Sequence, residues 1–154
     1  MSTCFTSALD RSYLPSLERL LFYNANQAGI EPEVQSVIER YGVPRIVEDS
    51  GKLRVVCSEA VPTQSLYALE PSDAAQPLIG IIVYTREMDT LAVLHLAVRE
   101  DYTQRARPAR TSLLLDMVDE VCNIGRRVKG VESVAVFPGT RREIRLHVAH
   151  NGSQ

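Results

Sequence analysis

Residues 91–98, which read LAVLHLAV, decide the fold together with the helix and strand that follow them. Aliphatic and β-branched residues fill this stretch, which is typical of a strand buried inside a sheet. Apolar residues then recur at helical spacing between about Pro108 and Val128, namely Leu114, Met117, Val118, Val121, Cys122 and Gly125. Ser133–Phe137 is a second apolar strand. A helix between two such strands predicts a right-handed crossover, which makes the two strands parallel neighbours.

The N-terminal part is predicted to hold a short strand and two helices. A strand is expected at Thr3–Ala8, and leucines and alanines at helical spacing predict an amphipathic helix over residues 14–28. Pro32 lies at a first-turn position of the second helix, and Gly42 is the expected stop. The side chains that this second helix should bury are Val34, Val37, Ile38 and Tyr41.

The remaining segments predict further strands. Leu53–Cys57 alternates between apolar and polar residues, and Leu66–Leu69 extends it or pairs with it. Leu78–Tyr84 and the stretch quoted first are expected to be central antiparallel strands, joined by a polar hairpin connection at Arg86–Asp89. Ile144–Val148 alternates again and predicts an edge strand. The expected fold class is therefore α+β, a mixed sheet with two N-terminal helices and one long helix in a βαβ crossover.

Length and composition fit a single domain over residues 1–154. Hydrophobic residues make up 45 % and charged residues 23 % of the chain, which is the balance of a globular protein rather than a disordered one. The net charge of −2 argues against general nucleic-acid binding. No apolar run approaches the ~20 residues of a membrane-spanning helix, and residues 1–10 lack a secretory signal, so a cytoplasmic protein is expected.

Cysteine and histidine are too few and too scattered to predict a metal site. Cys4, Cys57 and Cys122 form no CxxC pair and are expected to be reduced thiols that pack as small hydrophobes. The three histidines, His95, His147 and His150, form no close cluster with them. No metal is therefore expected.

The segment after residue 98 is rich in arginine. Arg99, Arg105, Arg107 and Arg110 lie within twelve residues, directly before the predicted long helix. Arginine beside a helix N-terminus suits phosphate groups, so one interpretation is an anion site. The other interpretation is a solvated loop whose charge is partly neutralised by neighbouring acidic residues. Both stay open on the residues alone.

The order of elements, and LHLAV at 94–98 followed by EDY at 100–102, resemble the GNAT acyltransferase family. The resemblance runs from about Thr3 to Phe137 and implies an acyl-CoA donor, for example acetyl-CoA. In that family a Q/R-x-x-G-x-G/A loop cradles the pyrophosphate of CoA, and Gln104–Ala109 is the nearest match. Arg107 stands in place of the first glycine, and Pro108 has no amide donor. The donor-site residues implied by the resemblance are Val98, Arg99, Gln104, Arg105, Arg107, Ala109 and Arg110.

The resemblance also implies an activity, acyl transfer from CoA to the amine of a small molecule or peptide. His95 is the ionisable side chain of residues 91–98 and is the candidate proton acceptor; the competing interpretation is a histidine of the core. The family's helix with a tyrosine acid, expected after Phe137, has no counterpart in the sequence pattern. The alternative function is therefore an inactive GNAT-like module that binds proteins or forms a homodimer through the predicted edge strand.

Overall fold

The computed structural model describes residues 3–22, 37–58, 61–71, 73–99, 113–140 and 143–148, and the structural statements below refer to these ranges. The strands are β1 (Cys4–Thr6), β2 (Leu9–Asp10), β3 (Arg45–Asp49), β4 (Lys52–Val56), β5 (Gln64–Leu69), β6 (Leu78–Glu87), β7 (Thr90–Val98), β8 (Ser133–Val136) and β9 (Ile144–His147). The helices are a 3₁₀ turn (Arg11–Tyr13), α1 (Leu14–Phe22), α2 (residues 37–41) and α3 (Leu113–Arg127).

A six-stranded sheet in the order β1-β5-β6-β7-β8-β9 forms the centre of the fold. β7 and β8 are parallel, and the other neighbouring pairs are antiparallel. The predicted parallel pair around the long helix, the central antiparallel strands and the edge strand are therefore confirmed. β6 is buried along eight consecutive residues because it lies in the middle of the sheet and is covered on both faces.

Two apolar clusters cover the two faces of the large sheet. On one face, which we call the α3 face, α3 packs through Met117 and Val121 against residues such as Ile82 and Val93. On the other, the α1 face, α1 packs through Leu17 and its neighbours against strand residues that include Ile81, Val83, Ala92 and Leu94. The side chains of β7 are therefore divided between two separate cores.

The pairing expected for Leu66–Leu69 is wrong. These residues belong to β5, which pairs with β1 and β6, whereas β4 pairs with β2 and β3 in a separate three-stranded sheet. The chain leaves the small sheet through an isolated bridge between Ser58 and Val61, and the Thr63 hydroxyl then donates to Val55 O at 2.8 Å. This change of sheet depends on tertiary contacts, so alternation within the segment could not indicate it.

The small sheet also contains two strands that the sequence pattern did not indicate. β3 is mostly exposed, and among its residues Ile46 packs against the α1-face cluster. β2 has only two residues, of which Leu9 is buried. Strands this short or this exposed have too little apolar alternation to be recognised in the sequence.

Several predicted boundaries change in the structure. The β6–β7 hairpin has a two-residue connection, Met88 and Asp89, because Glu87 still pairs with Thr90. β8 ends at Val136 rather than Phe137, whose φ of +56° takes the chain out of the sheet. The expected stop of α2 is confirmed, since Gly42 has a φ of +102° and its N–H donates to Ile38 O at 2.8 Å.

Some of the other sequence-based predictions concern residues that the structure describes, and some concern residues outside them. Val37 and Tyr41 are buried as predicted, whereas Ile38 is only half-buried. Residues 23–28 of the first predicted helix, Pro32 and Val34 of the second and Pro108 of the third lie outside the described residues. Cys57 and Cys122 are buried, but Cys4 is exposed, because its short strand lies at the sheet edge. Among the helices described here, none is long and apolar enough to cross a membrane.

Candidate functional site

The parallel pair of β7 and β8 ends before β7 does. β8 is in register with β7 over four residues, and the last pair joins Val93 to Val136. β7 continues from there to Val98 and remains paired with β6 on its other side. We call the side of Leu94–Ala97 that faces away from β6 the β7 edge.

Two backbone irregularities lie at the same level of the sheet and produce this divergence. In β7, Val93 is opposite Tyr84 and His95 is opposite Val83, so Leu94 is an extra residue that forms a bulge. In β8, the residue after Val136 has a positive φ, and the chain then folds back in the turn Phe137–Thr140, which we call the β8 turn. Both strands therefore change direction directly after their last shared pair.

The backbone of β7 presents polar groups along the β7 edge. Arg99 N donates to Ile79 O at 2.8 Å, so the N–H of Arg99 points toward β6. In an antiparallel pair, successive residues point their N–H and C=O groups alternately toward and away from the partner strand. The N–H and C=O groups of Leu96 consequently point away from β6, along the β7 edge. This arrangement suits a ligand that carries amide groups in an extended chain.

His95 lies on the α1 face beside the bulge. Its cross-strand partner is Val83, a member of the α1-face cluster, and directly opposed residues share a face. The residue is 6 % exposed, and its Nε2 atom has no hydrogen-bond partner among the described residues. Burial in these apolar surroundings lowers the pKa of His95 to about 4, which makes the imidazole neutral at pH 7.

An unpartnered buried nitrogen is uncommon in a folded protein and is costly. A neutral imidazole carries one donor and one acceptor nitrogen, so Nε2 of His95 can form a hydrogen bond with a ligand that reaches the bulge. Two consecutive residues of β7 therefore provide different groups: His95 has the buried imidazole without a partner, and Leu96 has backbone groups that point away from β6.

Comparison with solved structures identifies the architecture. PaiA N-acetyltransferase from Thermoplasma acidophilum, solved in complex with coenzyme A, superposes with a TM-score of 0.51 at 17 % sequence identity, covering 88 % of this chain and 79 % of that one. The chain has a GNAT-like fold. A second match, nourseothricin acetyltransferase, has 14 % identity and a TM-score of 0.37 over 60 % of this chain and 56 % of that one, and nothing below rests on it. No protein-family model and no curated protein sequence matches the chain.

Of the residues predicted for the donor site, two lie at the end of β7 and five lie outside the described residues. Gln104, Arg105, Arg107, Ala109 and Arg110 lie outside the described residues, as does Tyr102, so the anion site stays a prediction. Val98 and Arg99 lie at the end of β7; the side chain of Val98 is buried on the α3 face, and Arg99 is half-buried. Because the backbone of Arg99 points toward β6, a role for this residue in donor binding requires its side chain.

The C-terminal part differs from the pattern that the resemblance implies. The β8 turn leads into β9, which pairs with β8, and the described residues contain no helix between these strands. The described part of the chain also contains no group of three His, Cys, Asp or Glu side chains that could hold a metal ion.

The depressed pKa of His95 predicts how stability depends on pH. The imidazole binds a proton near pH 6.5 in the unfolded chain but only near pH 4 in the folded one. Between these values the unfolded state binds more protons, so the free energy of unfolding rises with pH. The contribution of His95 is fully present above about pH 6.5 and falls by up to roughly 3 kcal/mol as the pH approaches 4.

Replacing His95→Gln should flatten this part of the profile, measured as urea unfolding between pH 4 and pH 7. The matched control is His147→Gln, which makes the same substitution at an exposed histidine of β9. Equal pH dependence in wild type and His95→Gln would show that the folded protein admits a charged imidazole.

Proposed function

We propose that the protein binds an acyl-CoA along the β7 edge and transfers the acyl group to an amine. The observation that carries this proposal is the divergence of a parallel strand pair beside a bulge, which leaves β7 without a β8 partner beyond Val93. The GNAT-like fold and its similarity to an N-acetyltransferase solved with coenzyme A support the same donor. Acetyl-CoA is the first donor to test.

In this proposal the donor takes the place of the absent strand. The pantetheine arm of CoA is extended and carries amide groups, which can exchange hydrogen bonds with the outward-pointing backbone groups of Leu96. The thioester carbonyl then lies near the bulge, where a backbone N–H can stabilise the oxyanion formed during transfer. Open backbone at a strand edge is suited to this task because it supplies donors and acceptors in a fixed geometry.

The phosphates of the donor lie, in this proposal, beyond the end of β7. Arg99 and the loop residues Gln104, Arg105, Arg107, Ala109 and Arg110 surround them. Arginine side chains can replace some of the backbone amides that Pro108 and the absence of glycine remove, because a guanidinium binds phosphate through paired hydrogen bonds.

The reaction is aminolysis of a thioester. The amine nitrogen attacks the carbonyl carbon, the new C–N bond forms and the C–S bond breaks, which releases CoA as the thiol and leaves an amide. His95 accepts the proton that the attacking nitrogen loses, through its unpartnered Nε2, and passes it to the leaving sulfur or to water. The acceptor is the amine of a small molecule or peptide.

Binding of the donor is the first test. Acetyl-CoA at about one hundred times its dissociation constant should stabilise the folded protein by about 2.7 kcal/mol, which raises Tm by roughly 5 °C or more. Thermal unfolding and titration calorimetry measure this, with ATP as a control ligand that carries phosphates but no pantetheine arm. Absence of heat and of a Tm shift at millimolar acetyl-CoA would remove the donor assignment; self-association of such a protein would then favour the non-catalytic module.

Release of CoA thiol in the presence of an amine panel tests the role of His95. We expect His95→Gln to lower kcat by about tenfold or more with little change in the KM for acetyl-CoA, because general base catalysis contributes most when the pKa of the base lies near the working pH and burial lowers the pKa of His95 to about 4. Because the exposed thiol of Cys4 is accessible to thiol reagents, the assay uses a Cys4→Ser background. Unchanged kcat in His95→Gln would assign the histidine to the core alone.

A pair of proline substitutions tests the use of the β7 edge. Leu96→Pro removes an N–H that points away from β6, so it should weaken acetyl-CoA binding about tenfold with a small loss of stability. Ala97→Pro removes an N–H that points toward β6 and should mainly destabilise the sheet. Urea unfolding and calorimetry separate the two effects, and equal donor affinity in Leu96→Pro and wild type would place the donor elsewhere.

A further inference from the structure

A group of polar contacts joins the end of α2 to the end of β6 on the α1 face. Tyr41 OH donates to Glu87 Oε1 at 2.5 Å, and Arg40 Nη2 lies 3.4 Å from Glu87 Oε2. The Arg40 guanidinium also lies over the Tyr41 ring, 5.0 Å from its centroid. We call Arg40, Tyr41 and Glu87 the α2 bridge. Its contacts hold the guanidinium in one place although the Arg40 side chain is half-exposed.

The β8 turn passes directly beside this guanidinium. A Cβ atom on Gly139 would lie 2.8 Å from Arg40 Nη1, so the absence of a side chain at Gly139 allows this close approach. On the other side, Gly139 N donates to Glu143 Oε1 at 3.0 Å. The backbone at Gly139 therefore lies between the Arg40 guanidinium and the Glu143 carboxylate.

Glu143 connects the β8 turn to the start of the parallel strands. Its Oε2 lies 3.4 Å from Arg145 Nη2, and Arg145 Nη1 donates to Thr90 Oγ1 at 3.1 Å and to Ser133 Oγ at 3.3 Å. Thr90 and Ser133 are buried and are the first residues of β7 and β8. Glu143 and Arg145 therefore connect the β8 turn to the first residues of β7 and β8, the two strands that later diverge.

The backbone of the β8 turn depends on such external contacts. Phe137 adopts a φ of +56°, a conformation that a bulky residue holds only when its surroundings impose it. Thr140 supports the turn from within, since its N and Oγ1 both donate to Phe137 O, at 3.2 and 2.8 Å. Loss of the outer contacts would leave this strained residue free to relax toward the extended conformation, which would continue β8 alongside β7.

We propose that Arg40 and Glu143 are positioning residues that hold the β8 turn on the α1 face, so that β8 leaves β7 at Val136 and the β7 edge stays open to the donor. This inference rests on the proposed function. The two side chains act through the turn rather than on the donor itself. The donor binds only the arrangement in which β8 has left β7. Its apparent affinity therefore falls when a smaller fraction of the protein has that arrangement.

The test combines amide hydrogen exchange at Gly139 with calorimetry of acetyl-CoA on the full chain. Glu143→Ala and Arg40→Ala should each speed exchange at Gly139 by about tenfold and weaken acetyl-CoA binding at least about threefold, with kcat at saturating donor unchanged. Glu143→Gln retains an oxygen acceptor for Gly139 N and should restore most of the protection and affinity. Arg40→Lys keeps the charge beside Glu87 without the planar guanidinium and should give an intermediate result.

Glu48→Ala is the matched control, because it breaks an exposed ion pair with Arg11 at 3.5 Å in the small sheet and should alter neither measurement. Faster exchange at Gly139 without loss of donor affinity, or unchanged exchange in both alanine variants, would overturn the inference. Failure of the wild-type protein to bind acetyl-CoA would refute the proposed function and the link to the donor, whereas the exchange measurement would still decide whether these residues hold the turn.

Discussion

The hydrogen-bonding requirement of the β7 backbone is the constraint on which the rest of the structure depends. β7 is five residues longer than its register with β8, and the four additional residues beyond the bulge keep pairing with β6. The outward-pointing N–H and C=O groups of Leu96 need partners from another part of the chain, from water or from a ligand. β7 lies between two strands over its first half and beside β6 alone over its second half, so a rigid strand directs the backbone groups of Leu96 away from β6.

The two cores make that arrangement stable. α3 packs on one face of the large sheet, and α1, α2 and the small sheet pack on the other, so β7 is anchored by side chains on both faces even where β8 has ended. The bulge at Leu94 changes the alternation of the strand, and it places both Leu94 and His95 on the α1 face. The imidazole is buried because the extra residue turns the side chain of His95 toward the α1 face, and this burial lowers the pKa of His95.

Much of the fold could be predicted from local pattern. The apolar patterns of LAVLHLAV, of α3 and of the two C-terminal strands indicate a parallel pair with a crossover helix. Each pattern has one strongly preferred way to bury its apolar residues. The site was less predictable. His95 can be selected as an ionisable residue in an apolar strand, but the bulge beside it, the positive φ of Phe137 and the contacts of Arg40 with Gly139 depend on residues far apart in the chain.

The sequence by itself determined the strands of the large sheet and the long helix, because hydrophobic periodicity is a local property that follows from backbone geometry, but it did not indicate β2 and β3. It also determined that β7 and β8 are parallel, since a helix connects them. Only the tertiary structure decided that β4 and β5 belong to different sheets, that β8 stops at Val136 and that the N–H of Arg99 points toward β6. These features are set by strand register and by contacts between distant residues, and a shift of one residue would reverse which side chains and backbone groups face the site.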